Sequence, residues 1–173
     1  MQCILCGCEE SKAVVVKNRK STKTFFRCTK CDFCFLERSQ LLDYGCGHNP
    51  VLPQILRNKE SQISKIDYYD LFFYPNLDVT KKYSCIFSIE VFEHFRDVYK
   101  EIEQAFSYLE YGGYFVLSTG FLPDENKFAS WWYIQDATHI SFYSERTFEW
   151  LADKFSLKPI FSNKKNLVIF QKL

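Results

Sequence analysis

The stretch QLLDYGCGHNP, Gln40–Pro50, decides how this chain is read. Leu41 and Leu42 run into Asp43, two glycines follow one residue apart at Gly45 and Gly47, and a polar segment ends at Pro50. Such a pattern describes a short buried strand that stops at a sharp loop with exposed backbone. The glycines let a ligand lie against the peptide groups, and the helix expected over 51–58 points its N-terminus at the same place. A diphosphate-binding G-x-G-x-x-G loop calls for a third glycine at the helix start. Here Asn49 and Pro50 stand instead, and an acid precedes the first glycine. A carboxylate there repels a diphosphate and attracts a ligand that carries an ammonium group. A nicotinamide-dependent oxidoreductase is disfavoured on that ground.

Downstream, the chain alternates strand and helix patterns. Ile63 to Tyr69 reads as a second strand, and YSCIFSIEV (83–91) as a third, nearly continuous apolar run. Asp97 is placed to cap a helix whose Val98, Ile102, Ala105, Phe106 and Leu109 fall at helical spacing, closing at Gly112-Gly113 before the strand YFVLST. Ser144 opens another helix with Phe148, Leu151 and Phe155, and LKPIF and NLVIFQK close the chain as strands. The alternation implies an α/β fold: a Rossmann-like, mostly parallel sheet with helices on both faces, whose ligands sit beyond the carboxyl ends of the strands.

The first forty residues differ. Six of the eight cysteines lie before Ser39, and two C-x-x-C knuckles, Cys3–Cys6 and Cys28–Cys31, flank a hairpin with arms AVVVK and KTFFRC. Four thiolates so spaced suit a structural Zn²⁺ with no open coordination position. Gly7 supplies the tight turn after the first knuckle, and Cys8 and Cys34 are read as spectators. The division expected is a small β zinc ribbon over 1–38 and an α/β domain over 39–173. Eight cysteines without a secretory signal place the chain in a reducing, cytoplasmic compartment. No apolar run is long enough to span a bilayer. A net charge of +1 gives no strong nucleic-acid signature, and the basic run Lys17–Lys23 reads as a solvated hairpin tip.

These residues resemble the class I S-adenosylmethionine (SAM)-dependent methyltransferases, including bacterial members fused to an N-terminal zinc ribbon. The acid, one residue, then Gly-x-Gly after the first strand is that family's first motif. Asp70 in YYDLFFYP resembles the acid that takes the ribose hydroxyls, with Asp67 as its competitor. IFSIEVFEHF, FSYLEYGGYFVLST and DATHISFYSERTFEWLA resemble the later motifs, in order. The resemblance implies a cofactor site of Asp43, Tyr44, Gly45, Cys46, Gly47, Asp70 and Ser88. Cys46 serves there through its backbone and small size, with no catalytic role. The departures are Asn49 for a third glycine, Ser84 at a usual Asp position, a short segment at 71–82, and few residues ahead of the first strand. They leave a second reading open: a catalytically silent, zinc-containing binding module on a degenerate methyltransferase scaffold.

Methyl transfer is an in-line displacement at a sulfonium, so positioning dominates and a base helps only where the nucleophile must lose a proton. Candidate catalytic residues are Glu90, Glu93 and His94 after the third strand, and His139 in the later loop. Glu-x-x-Glu-His plus a distant His resembles the metal site of small-RNA 2′-O-methyltransferases, and its first part that of ubiquinone-biosynthesis O-methyltransferases. This implies Mg²⁺ or Mn²⁺ holding vicinal hydroxyls of a substrate. A metal-free base at His94 or His139 is the alternative. Trp131, Trp132, Tyr133, Phe142 and Tyr143 either wall a pocket or pack the core. The expected activity is methyl transfer to an O or N nucleophile of a small-molecule, sugar or RNA acceptor.

Overall fold

The computed structural model describes residue 6 and residues 8–17, 22–36, 40–59 and 65–173. Cys3, Gly7, the centre of the basic run and the start of the 63–69 strand fall outside them. The chain forms two compact units, Met1–Arg38 and Ser39–Leu173.

In the first unit, β1 (Ser11–Lys17), β2 (Thr22–Cys28) and β3 (Cys34–Leu36) make an antiparallel sheet in that order. The hairpin arms are as the β-branched and aromatic residues dictate, and β3 adds a strand that the sequence pattern did not disclose. The turn from Cys28 to Phe33 closes tightly. The Cys28 N–H donates to the Phe33 carbonyl at 2.9 Å, the Asp32 N–H to the Cys28 carbonyl at 3.1 Å, and Asp32 takes φ +60°. Arg27 clamps the Asp32 carboxylate through two guanidinium nitrogens.

The second unit is a six-stranded sheet, order β5-β4-β6-β7-β9-β8, from β4 (Gln40–Tyr44), β5 (Lys65–Tyr69), β6 (Tyr83–Ile89), β7 (Leu109–Ser118), β8 (Leu157–Ser162) and β9 (Leu167–Lys172). Strands β4 to β7 run parallel, and β9 lies antiparallel to both β7 and β8. From β4 the chain crosses through α1 (Val51–Lys59) to β5, and from β6 through α2 (Val98–Ser107) to β7, stepping in opposite directions along the sheet. Right-handed crossovers in opposite directions put α1 and α2 on opposite faces. They also open a crevice at the carboxyl ends of β4 and β6, where the strand order reverses.

One face carries the main core. Leu42, Tyr44, Ile86, Phe115, Leu117, Val168 and Phe170 from the strands meet Ile102, Ala105 and Phe106 of α2 and Phe148 and Leu151 of α4 (Glu145–Lys154), which follows the one-turn α3 (Glu125–Phe128). Edge-on and tilted rings do much of the filling: Phe106 lies 4.8 Å from Phe115 and Phe92 lies 4.7 Å from Phe95. Among the described residues no helix is long and apolar enough to cross a membrane.

Two local expectations change. Asp97 makes no side-chain cap to α2. Glu101 instead reaches back one turn and accepts from the backbone N–H groups of Arg96 and Asp97, both at 2.9 Å. The helix also ends at Ser107, so Gly112 and Gly113 lie inside β7, next to a register shift between Tyr83 and Cys85 on β6. Gly112 takes φ +78°, and a Cβ on Gly113 would sit 2.9 Å from the Glu110 carbonyl oxygen. The glycines allow an irregular strand and do not stop a helix. Ser144 caps α4 as expected, its hydroxyl accepting from the Thr147 N–H while Thr147 answers with its own.

Candidate active site

Strand β4 delivers Asp43 to the crevice. Burial leaves Asp43 5 % exposed and pushes its carboxyl up to about 6. The next turn is held by the end of β5. The Gly45 and Cys46 N–H groups both donate to the Tyr69 carbonyl, at 2.7 and 3.0 Å. The two glycines serve different needs. Gly45, at φ +84°, has no room for a side chain, since a Cβ would meet Val91 Cγ2 at 2.3 Å. Gly47, at φ +66°, faces open space, with nothing within 4 Å of the Cβ position. The first lets the loop press on the turn after β6; the second leaves a bare surface against which a ligand can rest.

Asp70 completes this side. Its Oδ2 accepts from the Gly47 N–H at 3.0 Å, and its Oδ1 from the N–H groups of Phe72 and Phe73 at 2.9 and 3.1 Å. Asp67 is engaged elsewhere, with Lys81 Nζ at 2.8 Å and the Tyr83 hydroxyl at 2.9 Å. Asp70 is therefore the acid that borders the glycine loop. Two carboxylates flank this loop, and together with burial they push the Cys46 thiol up to about 12, which leaves it no thiolate character.

Tyr44 and Ser88 stand apart from the other expected cofactor residues. The Tyr44 side chain is buried in a stack with Tyr69 (5.0 Å) and Tyr108 (6.4 Å), so only its backbone belongs to the loop. Ser88 is fully buried, and among the described residues its hydroxyl has no hydrogen-bond partner. It offers no accessible atom to a ligand in this arrangement.

The turn after β6 carries the second half. Residues Phe92–His94 form one 3-10 turn, with Phe92 sealed in the core and Glu93 fully buried beside it. The later loop is stitched to this turn. Ile140 and Ser141 donate N–H to the Glu93 carbonyl at 2.8 and 3.0 Å, and the Tyr143 hydroxyl donates to the Phe92 carbonyl at 2.9 Å. This brings His139 to His94, with ring centroids 4.9 Å apart.

Both imidazoles present Nδ1 to a backbone carbonyl, His94 to Thr138 at 3.0 Å and His139 to Tyr133 at 2.8 Å. A carbonyl only accepts, so each Nδ1 carries a hydrogen, and each Nε2 lies beside an acid, His94 Nε2 3.9 Å from Glu93 Oε1 and His139 Nε2 3.8 Å from Asp136 Oδ2. Glu93, His94 and His139 each offer one ligand atom within 4.8 Å of the others, and among the described residues neither Glu93 carboxylate oxygen has a hydrogen-bond partner. A buried carboxylate without a donor is costly. Together with the two imidazoles it makes a set of donors whose chemistry fits a divalent cation.

Glu90 was grouped with these residues, but its oxygens are taken by the hydroxyls of Ser118 (2.9 Å) and Tyr133 (2.8 Å). Of the aromatic residues of this loop, Tyr133 and Tyr143 are core, Phe128, Trp131 and Phe142 pack together half-buried, and Trp132 is exposed. Sequence reasoning gave Tyr133 no role of its own, and no spacing rule would have found it.

In the first unit the Sγ atoms of Cys6, Cys28 and Cys31 lie within 4.8 Å of one another, and Cys8 and Cys34 are outside the cluster. The Cys31 and Lys30 N–H groups point at Cys28 Sγ, at 3.5 and 3.4 Å. The Cys31 N–H is the main cause that brings the Cys28 thiol down to about 6. The set fits a thiolate-bound metal, with Cys3 outside the described residues.

Comparison with known proteins places this geometry. A family model described as a methyltransferase domain matches residues 23–160, more than half of the chain. Among solved structures, a candidate methyltransferase of Bacillus halodurans C-125 is 12 % identical, with 78 % of this chain and 93 % of that chain covered and a TM-score of 0.53. An O-methyltransferase family protein of Burkholderia thailandensis is 13 % identical, with 78 % and 51 % covered and a TM-score of 0.54. The magnesium protoporphyrin IX methyltransferase of Synechocystis, a structure with bound SAH, is 11 % identical, with 78 % and 74 % covered and a TM-score of 0.52. At such identities the likeness is one of fold. No curated protein matches the chain in sequence. By its family match, with a fold and a glycine loop that agree, the chain belongs to the methyltransferase-domain family and is a class I SAM-dependent methyltransferase.

Proposed function

We propose that this methyltransferase acts on an oxygen nucleophile, held beside a divalent cation at Glu93, His94 and His139. The observation that carries the reading is the Glu93 carboxylate, fully buried and without a hydrogen-bond partner among the described residues, flanked by two imidazoles whose Nδ1–H groups are tied down. A bound Mn²⁺ or Mg²⁺ would supply Lewis acidity that lowers the pKa of an acceptor hydroxyl.

The chain's own residues do the rest. The Gly45–Gly47 backbone and Asp70 seat the nucleoside part of SAM, and Asp43 beneath them favours a cationic ligand over a diphosphate. Val91 fills the space that Gly45 leaves, so the glycine loop rests on the segment between Glu90 and Glu93. That contact joins the cofactor side to the acceptor side, as a positioning reaction requires. Trp132 supplies an exposed aromatic face next to Tyr133, at 5.2 Å, suited to a planar part of a small-molecule, sugar or RNA acceptor. The Cys3, Cys6, Cys28 and Cys31 thiols hold a structural Zn²⁺ in the first unit.

The test measures SAH formation over a panel of hydroxyl- and amine-bearing acceptors, with and without chelator. Turnover restricted to hydroxyl acceptors and restored by Mn²⁺ supports the reading. Full turnover in chelator, unchanged in His139→Ala, contradicts it.

A further inference from the structure

Glu90 is the anomaly of the site. It holds φ +55°, in the left-handed region that strains a residue other than glycine, although nothing in a strand end requires it. Its carboxylate does not join the three ligand atoms. Oε1 accepts from the Ser118 hydroxyl at 2.9 Å and Oε2 from the Tyr133 hydroxyl at 2.8 Å, while its N–H donates to the Ser118 carbonyl at 2.9 Å. Three contacts fix an exposed acid in a strained posture, with its charge aimed at one buried phenol.

That phenol leads directly to His139. Tyr133 is 2 % exposed, its carbonyl accepts the His139 Nδ1–H at 2.8 Å, and its ring lies 4.2 Å from the imidazole. The hydroxyl also meets Thr119 Oγ1 at 3.3 Å, so the ring is pinned at its far end. Gly120 is shaped for it, because a Cβ there would come within 2.9 Å of the Tyr133 ring.

We propose that Tyr133 is a positioning residue for the cation site: anchored at its hydroxyl by Glu90, it holds the ring and carbonyl that fix the His139 imidazole beside Glu93 and His94. Glu90 then acts as the anchor of this outer shell and is not a ligand. The inference rests on the cation reading above. Orienting partners of this kind are worth 10- to 100-fold in metal affinity.

The test titrates Mn²⁺ alone into the full chain, followed by electron paramagnetic resonance, for wild type, Tyr133→Phe, Glu90→Ala and the double variant. Removing one hydroxyl should weaken Mn²⁺ binding about 10-fold. Glu90→Ala should weaken it too, partly by loss of charge. In the Glu90→Ala background, Tyr133→Phe should add less than about twofold, the coupling that a merely structural role would not produce. Tyr133→Phe within about twofold of wild type, or an equal loss in both backgrounds, overturns the proposal. If Tyr133→Phe loses its cooperative melt, Ser118→Ala decides, since it removes the other donor on Glu90 without touching the core. A weaker Mn²⁺ site in that variant supports the anchor, and an unchanged one overturns it. Wild type that binds no Mn²⁺ overturns this proposal and the cation reading together, whereas a wild-type site indifferent to Tyr133 overturns this one alone.

Discussion

The glycine loop and the turn after β6 stand against each other in the same crevice, yet they are built from opposite materials. The loop is backbone: Gly45 and Cys46 hang on one carbonyl, Gly47 lies open, and the single side chain that orders it is Asp70. The turn is side chain: a buried carboxylate, two imidazoles held at Nδ1, and a phenol that ties them to Glu90. A site made of peptide groups suits a ligand common to a whole family. A site made of side chains can be changed residue by residue, which suits the acceptor side of the proposed function.

Breaking the backbone half should have the largest effect. Gly45→Ala places a methyl group 2.3 Å from Val91 Cγ2 at φ +84°. We expect SAM binding to vanish in calorimetry and stability to fall by about 2–4 kcal/mol in denaturant titration, from overpacking and backbone strain together. Retained binding would mean that Val91 yields and that the two halves are not locked.

The side-chain half should break without disturbing the first. Glu93→Gln should lower Mn²⁺ affinity by about 100-fold, and His139→Ala should do nearly the same, each leaving SAM affinity within about twofold of wild type. Loss of both ligands in either variant would show one cooperative site. The thiolate cluster offers an outside standard. Elemental analysis should find about one Zn²⁺ per chain, absent in Cys28→Ser, while the crevice keeps its cofactor.

How much of this the sequence disclosed follows the same division. Asp43, Gly45, Gly47 and Asp70 were legible because a left-handed, ligand-facing backbone demands glycine and an acid at a strand end is conspicuous. Ser144 was legible because a cap is a local hydrogen bond, and the four parallel strands because their runs recur with a helix pattern after the first and after the third. Gly112-Gly113 was misread, since two glycines inside a strand look like a helix stop until the register shift beside them is seen. The cap of α2 was misread because Glu101 acts from four residues away. Tyr133 was beyond reach: its part depends on where a carbonyl and a hydroxyl point, which no spacing encodes.

A finer test sharpens the contrast from the loop side. Asp43 has its carboxyl raised to about 6 by burial, from an unfolded value of 3.8. The native state therefore binds the proton more tightly than the unfolded chain, and stability falls as pH rises from about 4 to about 6. The loss amounts to about 3 kcal/mol at pH 7.5. Asp43→Asn should remove this dependence, melting higher than wild type at pH 7.5 with the gap closing toward pH 4, while binding SAM more weakly. A wild-type melt flat across that window would show that the acid is not desolvated.

The most direct measurement is a calorimetric titration of SAM into the full chain at neutral pH, beside Gly45→Ala. One site per chain, with a dissociation constant below about 1 mM, absent in the variant, is the expected result. No heat of binding at millimolar cofactor would contradict the central claim, that the glycine loop after the first strand of the large sheet seats a sulfonium nucleoside.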